Sequence, residues 1–265
     1  MFRIKVFFLL MIFAVTLTAQ DFEVSPVLMS FNANPGEIQK NQINIINHSG
    51  KPQKYQMKLS DYTTDKDGRK KSIPLGDNPR SCADWITLNP SLVELNPNQS
   101  GTIEVLMTVP KDGFNTRWCM IMAEAVEEQT AFEADKTLAS GVHIIPRIVI
   151  LVKQTPKSNK NFHAGISDLK EVTTAKDKFR KFEMLVTNTG DNIIEGSVYL
   201  DLADMSTAAE EKFEPVKVTV YPDASRVVIL TVPKVIPPGK YALAAILDYG
   251  HRQPLEGTQL LLDVK

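Results

Sequence analysis

Two halves of this sequence carry the same parts in the same order. Gln42 to Gly50 (QINIINHSG) is an alternating strand running into a turn with Asn and Gly, and Phe182 to Gly190 (FEMLVTNTG) repeats the pattern; each predicts one strand entering a hairpin. Further on, Leu95-Asn96-Pro97 leads through the strand-like Gly101 to Met107 to Val109-Pro110, while Val220-Tyr221-Pro222 leads through Arg226 to Leu230 to Val232-Pro233. After each Val-Pro comes a Gly, Gly113 or Gly239, and then a strand, Arg117 to Val126 or Tyr241 to Tyr249. Repetition at this scale predicts two copies of one domain in tandem.

The parts are those of a β-sandwich. Runs rich in Val, Ile, Thr and Phe are broken by Pro, Gly and Asn at the spacing of sandwich strands. Only Ala131 to Ser140 and Met205 to Phe213 have a helix-like composition, and both sit between strand-like segments, so they are read as loops or single helical turns. The expected fold is all-β, two tandem immunoglobulin-like sandwiches: residues 20–153 and 162–265, joined over 154–161 (QTPKSNKN), a polar linker where the backbone should be least protected.

Residues 1–19 are expected to be a cleaved signal peptide. Arg3 and Lys5 precede the apolar run Val6 to Val15, which is too short to span a bilayer, and Ala19 offers a small residue at the cut. The remaining 246 residues (265 − 19) carry 28 basic and 31 acidic side chains, a net charge of 28 − 31 = −3, which argues against a nucleic-acid partner. No later segment approaches twenty apolar residues, so stable membrane insertion is not expected.

Export gives Cys82 and Cys119, the only cysteines, an oxidising setting in which an even count favours a disulfide. Their spacing lacks the pattern of metal ligands, and no cofactor is expected. Catalytic constellations are absent too: His48, His143, His163 and His251 are scattered over turns and strand ends, and none neighbours a nucleophile in a recognised setting. Asp201 with Asp204, and Glu124 with Glu127 and Glu128, read as solvated faces. Trp85 and Trp118 lie in strand-like context, where core packing is expected. The chain is read as a non-enzyme.

One segment breaks the sandwich pattern. From Ile144 to Val152 the chain reads IIPRIVILV, seven of nine residues aliphatic, so both faces of a strand would be apolar where one wet face should alternate. Pro146 lacks an N–H and argues for an edge strand. Such an edge is an aggregation hazard unless covered. Two covers are open: a partner strand, or burial against the second domain or the Phe114-Asn115 loop.

The order of these parts resembles the periplasmic pilus-assembly chaperones of the PapD-like superfamily over most of residues 22 to 156. INIINHSG, DWITLNPSLVELNPNQ, the strand ending in Val-Pro, RWCMIMAEA, a long acidic loop and IPRIVILVK carry the likeness. The resemblance implies that the last strand of domain 1 donates alternate aliphatic side chains to an incomplete subunit. The donated set is then Ile144, Ile148, Ile150 and Val152, or the opposite-face Ile145, Val149 and Leu151, with Arg147 either in the interface or blunting the edge. The family also anchors the subunit's terminal carboxylate with basic residues on the first and last strands. Here Phe22 to Phe31 has no Arg or Lys, and the last strand offers Arg147 and Lys153 with an aliphatic residue at the aligned anchor.

The expected function is that of an exported, periplasmic chaperone or assembly factor binding protein subunits of a surface or envelope assembly by strand donation. The alternative is a structural subunit of a cell-envelope complex using the same edge as a permanent interface. A third class, a carbohydrate-binding or enzyme-accessory module, should present an aromatic platform.

Overall fold

The structure, a computed structural model, describes residues 21–126 and 145–265. The expected signal peptide, the stretch Ala131 to Ser140, His143, Ile144, Glu127 and Glu128 lie outside the described residues.

Strand formation follows the alternation in the sequence. In β1 (Phe22–Ser25) Phe22 and Val24 point inward, and in β2 (Leu28–Phe31) Met29 and Phe31 do so while Leu28 and Ser30 face out. Pro26 and Val27 separate the two, so the region expected to be one first strand divides between two sheets. One sheet has the order β1, β3 (Ile38–Asn47), β8 (Ser100–Thr108), β6 (Ile86–Asn89). The other runs β2, β10 (Arg147–Gln154), β9 (Arg117–Val126), β4 (Gln53–Thr64), β5 (Lys70–Ile73), with β7 (Leu92–Leu95) also on β4. Phe22, Phe31, Ile43, Ile45, Ile103, Met107, Ile121 and Ile150 are the large, fully buried core between them.

The second sandwich packs β11 (Ala164–Glu171), β12 (Phe179–Asn188) and β16 (Ser225–Pro233) against a sheet ordered β14 (Glu210–Lys212), β13 (Ile194–Asp204), β17 (Gly239–Asp248), β18 (Glu256–Val264), with β15 (Val216–Val220) also on β13. Phe182, Val186, Ile194, Val198, Leu200 and Leu243 centre its core. Met205 to Phe213 is a turn followed by β14, not a helix. Among the described residues, no helix is long and apolar enough to cross a membrane.

The two repeated Asn turns are not hairpins. β3 and β4 belong to opposite sheets, as do β12 and β13. What turns the chain across the sandwich is a buried asparagine: Asn47 Nδ2 donates to the carbonyls of Lys51 and Leu95, each at 2.9 Å, and its Oδ1 accepts from Ser49 N at 2.9 Å. Asn188 Nδ2 donates to the carbonyls of Asn192 at 2.8 Å and Val220 at 2.9 Å, and its Oδ1 accepts from Gly190 N at 2.9 Å. A side chain that satisfies both the corner and the strand of the opposing sheet makes the crossing specific.

The polar segment between the sandwiches is not loose. Thr155 N donates to Phe31 O at 3.0 Å, Ser158 N to Asn34 Oδ1 at 3.1 Å, and Asn161 O accepts from Asp191 N at 3.0 Å. Pro156 is buried. Lys157, Ser158, Lys160 and Asn161 are exposed, so the composition reads as a free linker, yet the backbone and the Asn159 side chain bond to both sandwiches.

Candidate partner-binding edge

β10 is built by the aliphatic run, and it starts after Pro146. It pairs antiparallel with β9 along its whole length, from Arg147 opposite Glu124 to Gln154 opposite Arg117. On its other side, among the described residues, Leu151 to Gln154 alone has a neighbour, the parallel β2, with Leu151 N donating to Val27 O at 2.9 Å. Among the described residues, the strand is therefore an edge only at Arg147 to Ile150. The single-edge expectation is corrected for the second half, because the chain's own first segment switches sheets to cover it.

The doubled apolar pattern has a structural account. Ile150 and Val152 are fully buried in the core, and Ile148 packs against it. The opposite set faces out: Val149 is 38% exposed, Ile145 is exposed, and Leu151 is half-buried. Leu28, beside Leu151 on β2, is 67% exposed. Leu28 and Val27 extend the stripe, and the alternation Val27 to Phe31 was the sequence signal for it.

Charge frames the stripe. Arg147 Nη2 lies 2.6 Å from Glu124 Oε1, and Lys58 Nζ lies 2.7 Å from Glu124 Oε2, so one carboxylate serves two cations across β10, β9 and β4. Glu124 is buried here, not part of a solvated acidic face.

Beyond the stripe lies the junction of the domains. A cleft of about 200 Å³ is lined by Leu28, Lys70, Leu151, Lys153, Glu195 and Tyr221, among others. Lys153 Nζ reaches Glu195 Oε1 at 2.7 Å. Behind it Tyr62, Trp118, Met120 and Tyr221 form an aromatic cluster spanning both sandwiches, with the two tyrosine hydroxyls 2.8 Å apart and Trp118 Nε1 donating to Tyr62 O at 3.1 Å. Burial, with the neighbouring Tyr221, pushes the Tyr62 hydroxyl far above its usual range. On one flank Arg80 binds Asp191 and Asp223; on the other, Val227 N donates to Lys66 O at 2.7 Å.

Cys82 and Cys119 are both buried, their sulfurs 3.5 Å apart and not bonded. The contact with Cys82, together with burial, raises the Cys119 thiol well above its usual value. Trp85 packs against the first core. His48, His163 and His251 are exposed. Among the described residues, no three His, Cys, Asp or Glu side chains gather as metal ligands would.

No protein-family model and no curated protein matches the sequence. Solved structures do match the fold. A chain of the chaperone–tip adhesin complex of CFA/I fimbriae biogenesis aligns with a TM-score of 0.50 at 13% identity, over 91% of this chain and 98% of that one. The class 5 fimbriae chaperone CfaA gives 0.47 at 13% identity, over 91% and 98% of the two chains. The E. coli chaperone DraB gives 0.41 at 15% identity, over 92% and 98%. The first of these shows that the two-sandwich fold is one found in fimbrial assembly complexes.

Proposed function

We propose that this protein is an exported, periplasmic chaperone or assembly factor that binds a protein subunit by β-strand pairing along the open half of β10. The observation that carries the reading is the combination of a backbone edge that no described strand pairs, at Arg147 to Ile150, with the outward aliphatic residues Ile145 and Val149. An added strand would take its main-chain bonds from this edge and its specificity from alternate side chains. The outward set Ile145, Arg147, Val149 and Leu151 is the contact set in this reading; Ile148, Ile150 and Val152 hold the domain together. Leu28 continues the contact toward the cleft.

The test is a pair of substitutions on opposite faces. Val149→Glu should leave the melting temperature near that of the wild type and abolish co-purification with the partner subunit. Ile150→Glu should unfold the first domain, because a charge at a fully buried position has no partner. Retained binding in folded Val149→Glu protein would overturn the proposal. A chase with unlabelled subunit separates a chaperone, which releases its client, from a permanent scaffold.

A further inference from the structure

The flank of the junction held by Arg80 carries a groove of about 610 Å³ that has no part in the β10 edge. Its apolar feature is the ring of Phe114, 60% exposed at a place lined otherwise by amides, hydroxyls and charges. The local fold holds that ring out. Gly113 is buried, a Cβ there would meet Val109 Cγ1 at 2.6 Å, and Gly113 N donates to Pro110 O at 2.9 Å. The turn after Val109-Pro110 therefore closes tightly, and Phe114 leaves it toward the groove, its carbonyl accepting from Asn159 Nδ2 at 3.4 Å. A large aromatic ring left in water beside polar groups is spare contact area for a ligand.

Hydrogen-bonding capacity lies around the ring unused. The side-chain amides of Asn115 and Asn161, the Ser158 hydroxyl and the Lys160 ammonium line the groove and bond to no described residue. The main chain there is already taken: Thr189 N and Gly190 N both donate to His163 O at 2.9 Å, and Asp191 N donates to Asn161 O at 3.0 Å. A peptide therefore finds little open backbone to pair with. The charges cancel as well, since Arg80 and Lys160 stand against Asp191 and Asp223, and Arg80 holds both carboxylates, Asp223 at 2.8 Å. What the groove offers is a flat apolar ring, free amides, a hydroxyl and no net charge.

From this we infer that the groove binds a short, uncharged glycan. A sugar ring has an apolar face that lies on Phe114 and a rim of hydroxyls that both donate and accept, which the amides of Asn115 and Asn161 and the hydroxyl of Ser158 match. The volume is that of a small-ligand site. The walls come from both sandwiches and from the segment between them, so an occupied groove ties the junction a second time, beside Arg80. The inference does not rest on the β10 edge or on a client.

Nuclear magnetic resonance titration of the protein tests this, with chitotriose, cellotriose and maltotriose at millimolar concentration as uncharged sugars and trigalacturonate and trialanine as the charged and peptide controls. At least one uncharged sugar should bind and shift the side-chain amide signals of Asn115 and Asn161. Phe114→Ala, at an exposed position, should keep the wild-type melting temperature and weaken that sugar about five- to tenfold, the worth of one aromatic stacking contact, while Phe114→Trp should retain it. Asn161→Ala should weaken it about threefold or more, for one hydrogen bond lost. No binding of any uncharged sugar, unchanged affinity in folded Phe114→Ala protein, or a preference for trigalacturonate or trialanine would overturn the inference. Client capture by the Phe114→Ala protein should be unchanged, whatever the fate of the client reading in Val149→Glu; loss of capture together with sugar binding would contradict a separate site.

Discussion

Asn47 and Asn188 make the same three hydrogen bonds at equivalent points of the two sandwiches: to the amide two residues on, the carbonyl four residues on, and a carbonyl on the strand that closes the opposite sheet. The equivalence extends to the backbone, since Asn47 N donates to Gln99 O and Asn188 N to Ala224 O, each at 3.0 Å. Each asparagine thus joins a corner to a core.

Removing either should cost stability by a similar amount. Asn47→Ala and Asn188→Ala each leave several buried groups unpaired, at about 1 to 3 kcal/mol per group, so a loss of about 2 to 4 kcal/mol is expected in urea denaturation. The loss should be the larger for Asn47, whose Oδ1 also accepts from the buried Tyr55 hydroxyl at 2.9 Å. A change within about 0.5 kcal/mol, as for an ordinary surface site, would contradict the assignment.

The internal repeat was legible in the sequence for a physical reason: a strand, a corner and a return each need particular residue types, and the same types recur. The corner's path was not. QINIINHSG reads as strand and turn whether the chain folds back on its own sheet or crosses to the other, and what decides is a carbonyl nearly fifty residues away, at Leu95. The β10 face was open for the same kind of reason. IIPRIVILV is apolar on both sides; only the packing of Ile150 and Val152 inward, and of β2 against one half of the edge, distinguishes them.

The segment 154–161 should resist proteolysis despite its composition. Trypsin at Lys157 and Lys160 should cut slowly in the wild type. It should cut faster in Asp191→Ala, because Asp191 accepts from Arg80 and from Asn159 Nδ2 at 2.6 Å and thereby ties the segment to both domains. Equal rates in the two proteins would show that the tie does not hold the junction.

Cys82 and Cys119 should be a disulfide in protein isolated from an oxidising compartment. Sulfurs 3.5 Å apart need a small shift to reach the bonded length of about 2.05 Å. Mass spectrometry of unreduced, alkylated protein should show no labelled thiol, and reduction should lower stability by roughly 3 to 4 kcal/mol for a loop of about 36 residues. Two labelled cysteines would refute the bridge.

Asp177 should contribute stability with a defined acid limit. Bonds from Lys181 and from Thr174 hold its carboxyl down to about 2, against 3.8 for the unperturbed group. A depressed carboxyl favours folding above its unfolded value and loses that contribution as pH falls through the folded one. The melting-temperature difference between wild type and Asp177→Asn should thus be present at neutral pH, shrink below about pH 4 and vanish near pH 2. A difference independent of pH would contradict this.

The central claim is that a partner strand pairs with the open half of β10, and amide hydrogen exchange reads that pairing directly. Exchange should be compared in the free protein and in its purified complex with the partner subunit. On complex formation the account predicts strong slowing at Val149, whose amide side lacks a β2 neighbour, with little change at Leu151 and Lys153, which β2 already covers. Unchanged exchange at Val149 in a complex of proven stoichiometry would contradict it.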